Sequence, residues 1–306
     1  MKNCLIIALI CFANLNAGFE KHFKKAENKS DMHKMAGIDF IYMINLDARP
    51  EKYERTMSAL RPYGINPYRF SAVNGWELSF EALDELGVML EVPQPFGTLC
   101  TVYRHVDGEE YWSHEYMKEP GISYYCHMMS RGAIGCTLSH LSALQDAYDS
   151  GHKTVWIIED DIRVVSNPHE LTALISVLDK REPDWDVFFT DNEIKGPNGP
   201  IPCTVIRPRP LFRLEPLEYY LQRKNIQGDI VKIGMRFGAT SMIVRRSGMK
   251  KILDYYKKYK VYFPYDIEYF LVPGINLYAL NRDIVTNIVG AESDNGQPDY
   301  LNKGKK

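Results

Sequence analysis

Cysteine is scarce in this chain, six in 306 residues, and no two stand at the spacing of a zinc finger or ribbon. A disulfide-scaffolded module and a structural zinc site are therefore poor readings. Cys4 and Cys11 fall in an N-terminal apolar stretch, and Cys100, Cys126, Cys136 and Cys203 either pair in one of several ways or stay buried as free thiols. Excess charge is lacking too. With 37 basic against 39 acidic residues the formal net charge is -2, which leaves no electrostatic footprint for nucleic acid. Lys303, Lys305 and Lys306 are too few for a binding arm and read as a frayed terminus. No apolar run is long enough for a comfortable membrane span, and the histidines show no ligand spacing. What remains is ordinary globular composition, 45% hydrophobic and 25% charged, in a length that suits one large domain or two modest ones.

Lys2, an apolar run over 4–13 and the small residues Ala17 and Gly18 follow the order of a secretory signal peptide. An uncleaved anchor, or a mis-assigned start with Met35 as the first residue, is the alternative. On this division residues 1–18 are leader or anchor, 19–36 a polar linker, 37–292 one domain and 293–306 a flexible polar tail. The expected location is the secretory pathway or cell envelope if the leader works. Otherwise it is cytoplasmic, or membrane-associated through the apolar segment.

The most informative stretch runs from Thr154 to Val165. Val155-Trp-Ile-Ile158 is short, apolar and unbroken, as in a strand buried on both faces, and it ends in Glu159, Asp160 and Asp161. Adjacent carboxylates at the end of a buried strand repel one another and resist desolvation, so a cation belongs there. Oxygen ligands suit Mg2+ or Mn2+; a solvated acidic turn is the alternative.

Around that stretch the chain alternates strands and helices. Ile38 to Leu46 reads as a strand opening into a helix over 51–60, with Asp47 as cap and Pro50 in the first turn. Arg49 and Arg55 near the helix start can reach a phosphate, or can simply pair with Glu51 or Glu54. A second strand over 65–73 closes at Asn74-Gly75, a place where backbone can approach a nucleotide. A helix is expected over 77–89 and an irregular loop or lid over 90–130. Gly132 and Gly135 open a helix, capped by Thr137 or Ser139, and let its backbone approach a ligand. His140 on that apolar helix reads first as a hydrogen-bonded core histidine and second as a catalyst. Later come a helix from 167, a strand over 185–190 ending in Asp191, a loop over 195–216, a strand over 237–244 and a helix over 249–259. Asp266 and Glu268 then stand among aromatics, a setting that raises a carboxylate toward general-base duty; a helix cap at Asp266 is the alternative.

Strands alternating with helices, one strand ending in carboxylates and glycine-opened helix starts make a site for a metal-bound nucleotide diphosphate. Four blocks, Ile44-Asn-Leu-Asp-Ala-Arg-Pro-Glu, Tyr68-Arg-Phe-Ser-Ala-Val-Asn-Gly, Gly132-Ala-Ile-Gly-Cys-Thr-Leu-Ser-His-Leu and Trp156-Ile-Ile-Glu-Asp-Asp-Ile, resemble glycosyltransferase family 25. This is the lipopolysaccharide and collagen galactosyltransferase-like group, and the resemblance covers residues 38–191. It implies an α/β fold of GT-A type, a Rossmann-like mixed sheet flanked by helices, with 37–292 as the glycosyltransferase domain. It implies a UDP-sugar donor, Mn2+ (or Mg2+), and inverting transfer, with galactose the commonest sugar. Glu159 and Asp161 fall at its metal positions. Asn45, Asp47, Arg49, Ala72, Val73 and Asn74 fall at its donor positions, joined in our reading by Arg55, Gly135 and Asp160. The C-terminal third matches less clearly, so the base is chosen on chemistry: Asp266 first, Asp191 second, Glu268 third. The acceptor would be a hydroxyl of a glycan, a lipooligosaccharide or a protein. A metal-dependent phosphodiesterase or nucleotidyltransferase, and a secreted carbohydrate-binding protein without catalysis, are the competing readings.

Overall fold

The apolar run at 155–158 forms the strand expected of it and sits deep in the principal sheet. The computed structural model describes residues 18–93 and 97–296. In chain order the elements are β1 (Phe40–Asn45), α1 (Pro50–Leu60), β2 (Tyr68–Ser71), α2 (Phe80–Leu86), β3 (Val88–Met89), β4 (Leu99–Val106), β5 (Glu109–Tyr116), β6 (Ser123–Cys126), α3 (Arg131–Asp149), β7 (Thr154–Glu159), β8 (Ile162–Val164), α4 (Glu170–Arg181), β9 (Val187–Phe189), β10 (Lys195–Gly196), β11 (Gly199–Pro200), α5 (Leu217–Leu221), β12 (Arg223–Gln227), β13 (Ile230–Ile233), β14 (Ser241–Arg245), α6 (Arg246–Tyr259), α7 (Tyr265–Glu268), β15 (Leu277–Leu280) and β16 (Val285–Asn287). Eight strands pair in the order β12-β13-β15-β9-β14-β7-β1-β2. Strand β1 runs parallel to both β2 and β7, whereas β14 is antiparallel to β7 and β9. The sheet is therefore mixed and Rossmann-like, with helices over both faces, the α/β class expected.

Alternation along β7 divides the core in two. Val155 and Ile157 join Leu141 and Leu144 of α3 on one face, while Trp156 and Ile158 join Leu60 of α1 and Leu178 of α4 on the other. Because β1, β2 and β7 are parallel, their carboxyl ends open on one edge of the sheet. Asn45, the loop after Ser71 and Glu159 are thereby gathered in one place, where open α/β sheets bind ligands.

Several expectations are corrected. The stretch 90–130, read as an irregular loop, contains the hairpin β4–β5, which packs on β6. Its turn is Asp107-Gly108, both with positive φ (53° and 85°), the backbone a two-residue primed turn requires. Residues 19–36, read as a linker, lie against the domain: Phe19 is buried in the core and the Lys24 N–H donates to Ser142 Oγ. The polar tail also begins differently, since residues 293–296 fold back over the carboxyl edge; 297–306 lie outside the described residues. So does the leader, Gly18 excepted. Among the described residues no helix is long and apolar enough to cross a membrane. Cys100, Cys126, Cys136 and Cys203 are free thiols.

Candidate active site

Two cavities open side by side on the carboxyl edge. The first, about 140 Å3, is bounded by Asn45, Lys52, the loop 72–76 and all three acidic residues. The second, about 260 Å3, shares Cys136, Glu159 and Asp161 with it and adds Tyr265 and Asp266. Glu159 and Asp161 thus stand between the two, Asp160 belongs to the first alone, and Asp266 lines the second.

Each acid of the trio has its own environment. Glu159 Oε1 lies 2.9 Å from His140 Nε2, in a fully buried contact on the histidine side. His140 itself is stacked on Tyr265 at 4.4 Å, so the expected core histidine also holds a site carboxylate. The Asp160 carboxylate accepts from Asn45 Nδ2 at 2.7 Å, and its backbone carbonyl accepts from Thr56 Oγ1 at 2.8 Å. Burial pushes Asp160 up to about 6 against the help of Asn45 and Lys52. Asp161 is pushed up as well, by burial first and then by Glu159 and Asp160. Its Oδ1 is buried without a hydrogen-bond partner, an arrangement that costs about 1–3 kcal/mol if nothing fills it.

That orphaned oxygen is the test of whether a metal suits the site. Glu159 and Asp161 border both cavities, and a hard divalent cation would satisfy the unpaired Oδ1 and relieve the repulsion from Glu159 and Asp160 that Asp161 feels. Beside this all-oxygen pair, Cys136, His140 and Glu159 bring one ligand atom each within 4.8 Å of one another, a thiol-bearing set that suits softer ions.

The donor-side expectations divide. Asn45, buried in the sheet edge, donates to the Arg49 carbonyl as well as to Asp160 and accepts from Arg69 Nε. Ala72, Val73 and Asn74 line the first cavity, and Asn74 caps the turn at 75–77 by accepting from the Trp76 N–H. Asp47 does not cap α1. It points to solvent, where Ser71 and Arg69 bind it, and the N-cap position is Arg49, with no side-chain cap. Arg49, expected at a phosphate, pairs instead with Asp294 at 2.5 Å and Glu292 at 3.0 Å. Arg55 reaches the Asp160 carbonyl only at 3.4 Å from an exposed position. Gly135 serves packing and does not line either cavity. A Cβ there would lie 2.5 Å from the Gly75 nitrogen, and one on Gly75 would lie 1.8 Å from the Arg131 carbonyl oxygen, so α3 and the loop after β2 meet backbone to backbone. The α3 cap is Ser130, which accepts from the Ala133 N–H, and not Thr137 or Ser139. Those two lie inside the helix and donate back to the carbonyls of Ala133 and Gly135.

The carboxylates considered as base separate as sharply. Asp266 sits on the second cavity, raised to about 6 by burial and then by Glu159. Asp191 is buried against Arg236, with its second oxygen taken by Thr286 Oγ1, and it lines neither cavity. Glu268 is closed off by Arg209 at 2.5 Å and by the N–H groups of Tyr262 and Phe263. Neither is placed to take a proton from a substrate, because its lone pairs are already committed.

Sequence reasoning missed Lys52, Trp76 and Asp294. Lys52 Nζ lies 2.5 Å from Asp294, whose carbonyl also accepts from Trp76 Nε1. Lys52 one turn into α1 was a readable signal, since it follows Arg49 and Pro50 at a helix start. Asp294 carried none, being a polar residue in an aperiodic stretch.

A family model described as Glycosyltransferase family 25 (LPS biosynthesis protein) matches residues 38–268. A Glycosyltransferase 25 family member of Drosophila melanogaster is 34% identical over 145 residues, 47% of this chain and 19% of the relative. Procollagen galactosyltransferase 2 of Mus musculus is 25% identical over 173 residues, 55% of this chain and 24% of the relative. Inactive glycosyltransferase 25 family member 3 of Homo sapiens is 27% identical over 156 residues, 50% and 22% respectively. The matched region therefore spans less than a quarter of the length of each of these relatives.

Proposed function

The chain belongs to glycosyltransferase family 25, and on that premise we propose that it moves a sugar, with inversion, from a UDP-linked donor to a hydroxyl acceptor. Galactose is the first choice of sugar, from the procollagen galactosyltransferase relatives, and a glycan, a lipooligosaccharide or a hydroxylated protein the class of acceptor. The observation that carries the reading is Asp161 Oδ1, buried and unpartnered beside Glu159 at the carboxyl edge. Glu159 and Asp161 would hold Mn2+ or Mg2+, which supplies neutralisation of the diphosphate leaving group. Asn45 and Asp160 fix the floor under the nucleotide, and Ala72 to Asn74 offer backbone beside it. Lys52 and Arg49 supply positive charge now matched by Asp294, so donor phosphates would exchange with that carboxylate. Asp266 takes the acceptor proton. The acceptor oxygen bonds to the anomeric carbon as the bond from that carbon to the diphosphate oxygen breaks, and UDP leaves. An acid ionising near 6 is matched to such work at neutral pH.

Release of UDP from a panel of UDP-sugars, with and without Mn2+, tests the reading. Metal-stimulated release that Asp161→Asn abolishes supports it, and an inverted anomeric configuration in the product settles the stereochemistry. Hydrolysis of phosphodiesters in place of UDP release would favour the hydrolase reading, and sugar binding without any turnover a carbohydrate-binding protein.

A further inference from the structure

A third cavity, about 630 Å3, lies beyond Asp266. It shares Ala133, Pro264, Asp266 and Asn295 with the second cavity, so Asp266 stands at the boundary between the two. Its walls differ from those of the acidic cavities. Phe237, Phe263 and Phe270 supply aromatic surface, Thr204 a hydroxyl, and Arg207 the cationic group. Arg207 is exposed and, among the described residues, has neither an ion pair nor a hydrogen bond, in contrast with Arg209, Arg223 and Arg236 nearby in sequence, each of which is paired to a carboxylate. Aromatic walls with a few polar groups suit an amphipathic ring such as a sugar, and a guanidinium without a partner suits a carboxylate or phosphate oxygen. An anion entering next to Asp266 would be repelled unless a cation of this kind met it. We propose that this cavity is the acceptor site and that Arg207 selects an oligosaccharide carrying an acidic group, presenting its reacting hydroxyl to Asp266. The proposal rests on the transferase reading for the role of Asp266, and on the cavity alone for the binding itself.

The experiment is capture of the full-length chain, with UDP and Mn2+ present, on immobilised oligosaccharides of one core in three forms: neutral, ending in a uronic acid, or carrying a phosphate monoester. The acidic forms are expected to be held at least about tenfold more tightly than the neutral one, the scale of one charge-assisted hydrogen bond. Arg207→Gln should remove that preference while Arg207→Lys keeps most of it, with thermal denaturation confirming that both variants fold. The uronate and phosphate arms tell which acid is meant. Equal capture of all three forms, capture of none, or a preference that survives Arg207→Gln would overturn the proposal. UDP release measured in parallel separates the two readings. Arg207-dependent capture without turnover of any donor sinks the transferase and leaves a glycan-binding cavity, whereas turnover with charge-indifferent capture sinks the acceptor site alone.

Discussion

Two groups of buried carboxylates stand within one molecule and have opposite surroundings. Asp191 and Glu268 each face an arginine, Arg236 at 2.8 Å and Arg209 at 2.5 Å, and every oxygen has a donor. Asp160, Asp161 and Asp266 each feel the charge of Glu159, and burial raises all three. The first group is internally balanced and holds loops in place. Among the described residues no cation is ion-paired to the second, and Lys52 offsets Asp160 and Asp161 only partly, an imbalance that a folded chain tolerates where a ligand will supply the charge. From sequence the two groups look alike, since all are acids near strand ends or among aromatics. What separates them is the cation brought from elsewhere in the chain.

The sharpest way to break the contrast is Arg209→Met. It strands Glu268 in the core, and we expect a loss of about 3–5 kcal/mol, read as a large fall in the chemical denaturation midpoint. An unchanged midpoint would mean that Glu268 is not balanced by Arg209. Next comes Asp161→Asn, expected to cut transfer by about a hundredfold to a thousandfold, as the loss of one transition-state stabiliser does, with Tm equal or raised because repulsion is relieved. A fall in Tm would move Asp161 into the structural group. The pH dependence is smaller and has a definite sign. Asp160 and Asp266 keep their protons up to about 6 when folded, against 3.8 for the unperturbed group. The folded state binds more protons than the unfolded chain between those values, so metal-free stability should fall as pH rises through that window and level off above it. Turnover, which needs Asp266 ionised, should rise up to about tenfold per pH unit below 6 and then level. Urea midpoints and rates across the same buffers check both. The smallest effect is Arg55→Ala, whose exposed side chain makes one long contact; stability should stay within about 0.5 kcal/mol. Donor KM should also change less for Arg55→Ala than for Lys52→Ala, measured side by side.

Much of the scaffold was legible because its signals are local. The unbroken run at 155–158 could be little else than a buried strand, and Asn45, Val73 and the acidic trio converge because parallel strands put their carboxyl ends on one edge. The errors arose where distant contacts decide. Gly132 does line the first cavity, but Gly135 looked like a helix approach to a ligand because a sequence does not reveal that another backbone fills the space beside it. The pairing of Arg49 was not readable either, because its partner Asp294 is 245 positions away. Asp191 and Glu268 could not be told from Asp266 without Arg236 and Arg209. The hairpin β4–β5 is a different kind of miss, since Asp107-Gly108 is a local turn signal that the surrounding His, Tyr and Met residues obscured.

The contact between Gly75 and Gly135 limits how this recess could ever be reshaped. Two main chains touching with nothing between them leave no rotamer to adjust, so that wall has a thickness fixed by atomic radii. Any broadening to admit a bulkier guest must come from the side chains that line the recess, Lys52, Trp76 and Asp294 among them.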